Sequence, residues 1–283
     1  MNEHHRMNII ELIDVTKEYS TGNSGKKRAL KNINLAIRQG EYVGLIGMNG
    51  SGKTTLARLI NGLIQPTAGK VYVNGLDTAD RSSLIEIRRQ VGMVFQNPDN
   101  QIISSIVEED VAFGAENLRL PPAEVKERID WALRAVGLTE LRHHAPYLLS
   151  GGQKQKVTIA SALAMRPACL ILDEPTSMLD PRGREELIIN LKDLNEKHGI
   201  TIILISHNME DVLHAQRLIV LDKGAVCLEG APWEVFTSDE SLRDTGLKPP
   251  EIVQLANGLR KRGHAVDKKI ISMRQMVEYI CQL

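Results

Sequence analysis

The sequence of 283 residues is short of cysteine, of excess charge and of long apolar runs. Its three cysteines, Cys169, Cys227 and Cys281, are odd in number and widely spaced. This usage argues for a reducing compartment and against a disulfide framework or a zinc site. Thirty-five basic residues balance thirty-five acidic residues, so no overall field favours binding to nucleic acid or to an anionic membrane.

The apolar runs are too short to cross a membrane. The longest include residues 200–205 and 218–221, far below the ~20 residues that a spanning helix needs. Residues 1–6 are polar and no apolar segment follows them, so we expect no secretory signal there, and solvated side chains at His4 and His5. Any role at a membrane is therefore expected to depend on a partner.

A glycine-rich stretch, GMNGSGKT, occupies residues 47–54, between a short apolar run and a segment with apolar residues at helical spacing. Its glycines allow the backbone to curl so that N–H groups point at an anion. Lys53 would set a positive charge against the terminal phosphates, and Thr54 would offer a hydroxyl to Mg²⁺. We predict a strand, loop and helix that bind a nucleoside triphosphate. The predicted contacts are Gly47, Met48, Asn49, Gly50, Ser51, Gly52, Lys53, Thr54 and Thr55.

Two carboxylates end the apolar strand predicted at residues 169–174. Ligands collect at the carboxyl ends of parallel strands, so Asp173 is placed to hold Mg²⁺, directly or through water. Glu174 is then placed to orient or deprotonate an attacking water, with a solvent-facing acidic turn as the alternative. The next buried strand, residues 200–205, ends at His207, which could donate to a terminal phosphate or to Glu174.

Two further side chains have two interpretations each. Gln96 ends a predicted strand at residues 91–96, where its amide could reach a metal or a water, or simply cap the strand. Tyr19 precedes a polar turn at residues 22–27, where its ring could stack on an adenine base or be an ordinary half-buried tyrosine.

A second glycine-rich helix entrance, LSGGQKQ, lies at residues 149–155. Ser150 and the backbone amides of Gly151 and Gly152 can bind another anion at that helix N-terminus, with Gln153 beside them. The alternative is a well-capped helix without a ligand.

The remaining pattern predicts an α/β protein. Residues 9–15 and 31–38 alternate partly and suggest antiparallel strands ahead of the phosphate loop. Residues 105–165 have helical character and suggest a helical insertion between strands of the core. Residues 218–229 suggest a closing hairpin, and the tail beyond Pro250 suggests small helices that pack on the core or on a partner.

These motifs, in this order, resemble those of the ATP-binding-cassette ATPases, for which the LSGGQ signature is specific. The resemblance implies a phosphate-loop NTPase core with an antiparallel β subdomain over residues 8–247, and an inserted α-helical subdomain at about 97–165. It leaves 248–283 as a C-terminal extension that could serve dimerisation. It also implies ATP and Mg²⁺ as ligands, and a second ATPase subunit, because the signature of one subunit closes on the ATP of another.

The same resemblance implies roles for single residues. Tyr19 would stack on adenine, Gln96 would link Mg²⁺ or water to a transport partner, Glu174 would be the general base and His207 the switch histidine. The residues assigned to the second subunit's nucleotide are Ser150, Gly151, Gly152 and Gln153. Those assigned to Mg²⁺ are Thr54, Gln96 and Asp173.

A finer resemblance rests on residues 95–101, 109–114 and 177–184, FQNPDNQ, EDVAFG and SMLDPRGR. These are similar to the ATPase A subunits of energy-coupling-factor transporters, and Lys154, Gln155 and Met178 fit the first of the paired paralogues better than the second. Lys156 stands where arginine is commoner and keeps the charge.

The finer resemblance implies an ATP-hydrolysing subunit at the cytoplasmic face of the cell membrane, bound to a transmembrane coupling subunit and a substrate-binding membrane subunit. The cargo would be a vitamin or a transition-metal ion, and no nucleic-acid partner is expected. The alternatives are the ATPase of another ABC transporter, or an ABC ATPase acting on ribosomes or DNA. Proteins of the latter kind usually carry two cassettes or a long coiled coil, and neither occurs in this sequence.

Overall fold

A computed structural model describes residues 8–20 and 25–281. The predictions for His4, His5 and residues 22–24 lie outside the described residues. The elements follow in the order β1 (Asn8–Ser20), β2 (Lys26–Arg38), β3 (Tyr42–Ile46), α1 (Lys53–Ile60), β4 (Ala68–Val73), β5 (Leu76–Asp77), α2 (Leu84–Gln90), β6 (Val91–Val94), α3 (Val107–Glu116), α4 (Pro122–Ala135), α5 (Gly151–Ala164), β7 (Cys169–Asp173), α6 (Pro181–His198), β8 (Thr201–Ile205), β9 (Arg217–Asp222), β10 (Ala225–Gly230), α7 (Pro232–Thr237), α8 (Asp239–Asp244), α9 (Glu251–Lys261) and α10 (Met273–Ile280).

The central sheet has the strand order β10-β9-β3-β8-β7-β6. All of its neighbours pair in parallel except β10, which pairs antiparallel with β9. Every residue of β3, β6, β7 and β8 is buried, as expected for parallel strands covered on both faces. The carboxyl ends of β3, β6, β7 and β8 therefore meet at one edge, where the loops with the predicted functional residues begin.

Successive side chains of the central strands point to opposite faces of the sheet, so the apolar core consists of two clusters. Leu170, Leu172, Ile202 and Leu204 face the cluster that contains the helical insertion and the C-terminal helices. Their sequence neighbours, such as Ile171 and the other odd-numbered residues of these strands, face the cluster shared with α1 and the second sheet.

The second sheet is antiparallel, with the order β2-β1-β4-β5. It covers α1 and one face of the central sheet, with Leu30 and Ile33 of β2 buried against Leu56 and Leu59 of α1. The antiparallel strands predicted ahead of the phosphate loop are present and longer than the pattern indicated.

The helical insertion consists of α3, α4 and α5, which pack on one another between β6 and β7. Val111, Ile129, Leu133 and Val157 form part of their common core. A buried carboxylate, Asp110, accepts hydrogen bonds at Oδ1 from the backbone N–H groups of 103 and 104 and thereby fixes the loop that enters α3.

The sequence pattern did not predict α2, α7 or α8. Helix α1 also ends at Ile60, earlier than its apolar spacing indicated, because the chain turns at Gly62 with a φ of +66°.

Over the described residues, no helix is both long enough and apolar enough to cross a membrane. The boundary between the core at 8–247 and an extension at 248–283 stays a prediction, and Val253, Ala256 and Met276 of the extension pack in the same apolar cluster as the core.

Candidate active site

The loop between β3 and α1 has a backbone that only glycine fits at two points. Gly47 has a φ of +154°, and a Cβ there would lie 2.3 Å from the carbonyl oxygen of Leu221. Gly52 has a φ of +113°, and a Cβ there would lie 2.8 Å from the carbonyl oxygen of Ala29. The loop thus packs closely against β2 and β9, and side chains at these two positions would change its backbone conformation.

Lys53 begins α1, and its ammonium group lies over the loop. Its Nζ donates to the carbonyl oxygens of Gly47 at 2.7 Å and Met48 at 3.2 Å, and the residue is only 6% exposed. Burial lowers the pKa of Lys53, while the carboxylates of Glu174 and Asp173 act in the opposite direction. The amino group of Lys53 therefore lies where the loop and the carboxylates meet.

Thr54 and Asp173 bring two oxygen atoms together beside this charge. The Thr54 hydroxyl donates to Asp173 Oδ2 at 2.7 Å. Burial raises the pKa of Asp173, and the hydrogen bond from Thr54 opposes that rise. Hydroxyl and carboxylate oxygens are the donors that Mg²⁺ prefers, so this pair fits the ion. The described residues contain no group of three or more His, Cys, Asp or Glu able to hold a metal alone, so phosphate oxygens or water would complete the shell.

Two side chains contact one oxygen of Glu174. Gln96 Nε2 donates to Glu174 Oε2 at 2.9 Å, and His207 Nδ1 lies 3.2 Å from the same oxygen. The backbone of Glu174 has a φ of +50°, which turns the chain sharply after β7. The end of β6, the end of β7 and the end of β8 thus meet at this one carboxylate.

A cleft of about 800 Å³ brings Lys53, Thr54, Gln96, Glu174 and His207 together. Tyr19 stands at its rim, 37% exposed, with its hydroxyl 3.4 Å from Thr55 Oγ1 and Lys17 Nζ 5.3 Å from its ring centroid. The ring of Tyr19 therefore lies at the same opening as the glycine loop, with Lys17 over it. The cleft is lined by Tyr19, Lys27, Ala29, Met48, Asn49, Gly50, Gly52, Lys53, Thr54, Thr55, Gln96, Glu174, His207 and Leu247. Gly47, Ser51 and Asp173 are buried and do not line it.

The signature residues lie elsewhere on the surface. Ser150 caps α5: its hydroxyl accepts from the backbone N–H of Gln153 at 3.3 Å, and Gln153 Oε1 accepts from the N–H of Ser150 at 3.0 Å. A Cβ on Gly152 would lie 2.7 Å from Leu179 Cδ2, so the tip of that side chain would have to shift. Ser150, Gly151, Gly152 and Gln153 line a separate cavity of about 360 Å³ that shares no residue with the cleft at Lys53.

The pattern of residues has a clear counterpart among protein families. The model of the ABC transporter family matches residues 30–177, which include the glycine loop, the signature and Glu174. The chain belongs to this family of ABC ATPases. It therefore binds ATP and is an ATPase, as the sequence predicted.

Curated relatives of this ABC ATPase cover nearly its whole length. The energy-coupling factor transporter ATP-binding protein EcfA1 of Caldanaerobacter subterraneus subsp. tengcongensis is 52% identical over 97% of this chain and 99% of its own. The protein of Methanosarcina acetivorans named EcfA is 49% identical over 97% and 98%. The resemblance to energy-coupling-factor ATPase subunits is thus confirmed.

Solved structures of ABC ATPases have the same fold. CbiO1 of Clostridium perfringens, described as part of the ABC transporter complex CbiONQ, is 38% identical with a TM-score of 0.76, over 89% of this chain and 99% of its own. A dimeric ATP-binding cassette in a post-hydrolysis state, bound to ADP and Pi, is 36% identical with a TM-score of 0.73, over 79% and 98%.

Three residues that line the cleft of this ABC ATPase were not predicted. Lys27 and Ala29 reach it from β2, and Leu247 reaches it from the segment that leads into α9. A lysine in the turn next to Tyr19 was a signal that could have been used for Lys27. Leu247, 6% exposed, lies far from every motif, and Gly246 beside it packs on the side chain of Met48, so only the tertiary fold identifies it.

Proposed function

We propose that the chain is the ATP-hydrolysing subunit of an energy-coupling-factor importer and binds, as a peripheral protein, at the cytoplasmic face of the membrane. The observation that carries this proposal is the meeting of Lys53, Thr54, Glu174 and His207 in one cleft, with Asp173 bonded to the Thr54 hydroxyl, on a chain whose full-length relatives carry energy-coupling-factor names. The cargo class, vitamins or transition-metal ions, follows from the resemblance of residues 95–101, 109–114 and 177–184 to energy-coupling-factor ATPase subunits and not from the cleft.

Each residue of the cleft would have its own role in ATP hydrolysis. The loop amides and Lys53 would bind the β- and γ-phosphates and neutralise the charge that develops on the γ-phosphoryl group. Glu174 Oε1 would accept a proton from water as it attacks, while Gln96 and His207 hold the carboxylate through Oε2. Mg²⁺, held by Thr54 and by Asp173 directly or through water, with Gln96 as a further ligand, would polarise the phosphate oxygens.

A second ATPase subunit is required by this proposal. Ser150 caps its own helix, and it lies in a cavity separate from the cleft at Lys53. Its backbone amides and hydroxyl would reach the nucleotide of a partner, and the signature of the partner would cover the nucleotide bound here. The partner would be a second copy of this chain or a homologous ATPase.

Movement would pass to a membrane subunit through the segment after Gln96. Lys154 Nζ on α5 lies 2.7 Å from Asp99 Oδ1, and the Gln155 amide donates to the carbonyl oxygen of Phe95 at 3.4 Å. The signature helix is thus bonded to Phe95 before Gln96 and to the segment that follows Gln96. Hydrolysis at Glu174 and closure at Ser150 would therefore both displace this segment.

The C-terminal extension would contribute to pairing of the subunits. Leu255, Met273, Val277 and Ile280 are each at least half exposed on α9 and α10, which is unusual for so many apolar side chains in one short region. We assign this face to the equivalent extension of the second ATPase. Val277→Glu is expected to weaken pairing of the ATPases, whereas Ile189→Glu, a similarly exposed change on α6, is expected to leave it intact.

Native mass spectrometry of the complex extracted from membranes tests the proposal. A tagged full-length chain is expected to be recovered with a second ATPase, or a second copy, and with polytopic membrane subunits in fixed stoichiometry. Recovery with ribosomes or DNA and without a membrane protein would contradict the transporter assignment.

A further inference from the structure

A buried carboxylate without a part in the chemistry above lies beneath the active site. Asp211 follows β8 and is 1% exposed. Its Oδ2 accepts hydrogen bonds from the hydroxyls of Thr176 at 2.6 Å and Ser206 at 2.8 Å. These two residues are themselves 3% and 1% exposed. One buried oxygen therefore joins two segments that are 30 residues apart in sequence.

Both segments carry an active-site residue. Thr176 follows Glu174 by two residues, and Ser206 immediately precedes His207. The Ser206 hydroxyl also accepts from the backbone N–H of Asn208 at 2.9 Å, so the turn on each side of His207 is tied to Asp211. The carboxylate thus connects the chain just after Glu174 to the chain around His207.

The surroundings of Asp211 are charged as well as polar. Arg184 Nε, on the first turns of α6, lies 3.8 Å from Asp211 Oδ1, beyond hydrogen-bond distance. The hydroxyl of Tyr42 has no hydrogen-bond partner among residues 8–20 and 25–281, and its pKa is raised by burial and by Asp211. A buried carboxylate is costly unless it is paired, and an apolar residue could fill the space at lower cost. Its presence is therefore best explained by the geometry that it enforces.

We propose that Asp211 is a positioning residue for ATP hydrolysis, because its hydrogen bonds to Thr176 and Ser206 fix the distance between Glu174 and His207. This inference rests on the roles proposed above for those two residues. Without Asp211, two hydroxyls would lose their acceptor in the interior, and the loops after β7 and β8 would no longer be held together. The Glu174–His207 contact would then be lost, while the glycine loop and Lys53 would be unaffected.

The experiment compares Asp211→Ala, Asp211→Asn and Asn195→Ala in the full-length chain purified with its partner subunits. Asn195 is the matched control, because it is a buried polar residue of α6 whose amide bonds only to the backbone carbonyls of Gly40 and Ile200. Asp211→Ala is expected to lower kcat about 100-fold, the loss typical of a reacting group misplaced by ~1 Å, with KM for ATP little changed. Asp211→Asn keeps an accepting oxygen and is expected to restore most of kcat.

The side-chain resonances of His207 supply a second readout that a purely structural role would not change. Asp211→Ala is expected to shift them in a ¹⁵N-edited spectrum, assigned with His207→Asn, whereas Asn195→Ala is expected to leave them in place. Should Asp211→Ala fail to fold, Thr176→Val and Ser206→Ala remove one donor each and are expected to lower kcat by smaller factors.

Two results would overturn the inference. One is a kcat near the wild-type value in Asp211→Ala together with a reduced Tm, and the other is a kcat loss of the same size in Asn195→Ala. The Glu174→Gln variant distinguishes a failure of the positioning role of Asp211 from a failure of the proposed function. If Glu174→Gln still hydrolyses ATP, the base assignment is wrong, whereas an inactive Glu174→Gln beside an active Asp211→Ala rejects only the positioning role.

Discussion

Gln96 Nε2 donates a hydrogen bond of 2.9 Å to Glu174 Oε2, which joins the carboxyl ends of the neighbouring strands β6 and β7. The two residues are 78 positions apart in sequence, and the whole helical insertion lies between them. The side chain directly before the segment 97–101 is therefore hydrogen-bonded to the carboxylate of the cleft. Under the proposed function, this bond would carry the effect of ATP hydrolysis to the segment after Gln96.

Loss of the Gln96 amide is expected to weaken hydrolysis more than ATP binding. In Gln96→Ala, Glu174 keeps its contact with His207 but loses the hydrogen bond from Gln96, and removing a hydrogen bond to a charged group costs about 1.5–3 kcal/mol. We expect kcat to fall about tenfold or more, with KM for ATP little changed. Steady-state ATPase assays on the purified complex measure both. Gln39→Ala, at the opposite end of β3, is the control, and an equal loss in both variants would contradict the role of Gln96.

Lys53 is expected to matter mainly for binding. Lys53→Ala removes the positive charge at the loop, and the loss of one charge-assisted contact to phosphate is expected to weaken ATP affinity at least about tenfold. Equilibrium binding of a fluorescent ATP analogue measures this change. Lys126→Ala, an exposed lysine of α4, is expected to bind like the wild type. Unchanged affinity in Lys53→Ala would remove the basis for the phosphate site.

Asp173 is expected to destabilise the nucleotide-free protein at neutral pH. Burial raises its folded-state pKa, so the folded chain binds more protons than the unfolded chain between the two pKa values. The contribution of Asp173 to the unfolding free energy therefore falls as the pH rises from about 4 through the folded-state pKa.

Asp173→Asn removes this cost and keeps an oxygen for the Thr54 hydroxyl. Its Tm at pH ~7 is expected to rise by about 2 °C or more, and the gain should vanish below pH ~3.5, where both forms are neutral. Differential scanning calorimetry without nucleotide measures this, with the exposed Asp267→Asn as the control. A lower Tm at neutral pH would show that the ionised form of Asp173 is stabilising.

Local patterns in the sequence predicted most elements of the fold and the candidate residues of the cleft. Residues close in sequence determine three of these features: the glycine loop, the capped N-terminus of α5 and the apolar strand before Asp173. The strand order β3-β8-β7-β6 depends on pairing between strands that are distant in sequence, and periodicity does not reveal such pairing. The arrangement into a core, an antiparallel β subdomain and a helical insertion was predicted from the resemblance to a known family.

Other features depend on tertiary contacts and had no local signal. Asp211 stands next to Glu210 in a polar segment, which resembles a solvated turn, although the fold buries it under β8. Leu247 enters the cleft from a distant segment. Helix α2 was missed because its sequence, LIEIRRQ, is short and has only one buried residue. The assignments of single site residues remain predictions until they are tested in solution.

The central claim is that this chain hydrolyses ATP with Glu174 as the base, and Glu174→Gln tests it most directly. The change keeps the size of the side chain and removes the proton acceptor, and a general base contributes about 10²–10⁴-fold to such rates. Single-turnover assays on the complex are expected to show ATP bound with near wild-type affinity and a hydrolysis rate reduced by at least about 100-fold, while Glu140→Gln behaves like the wild type. Hydrolysis by Glu174→Gln at a near-normal rate would contradict the account.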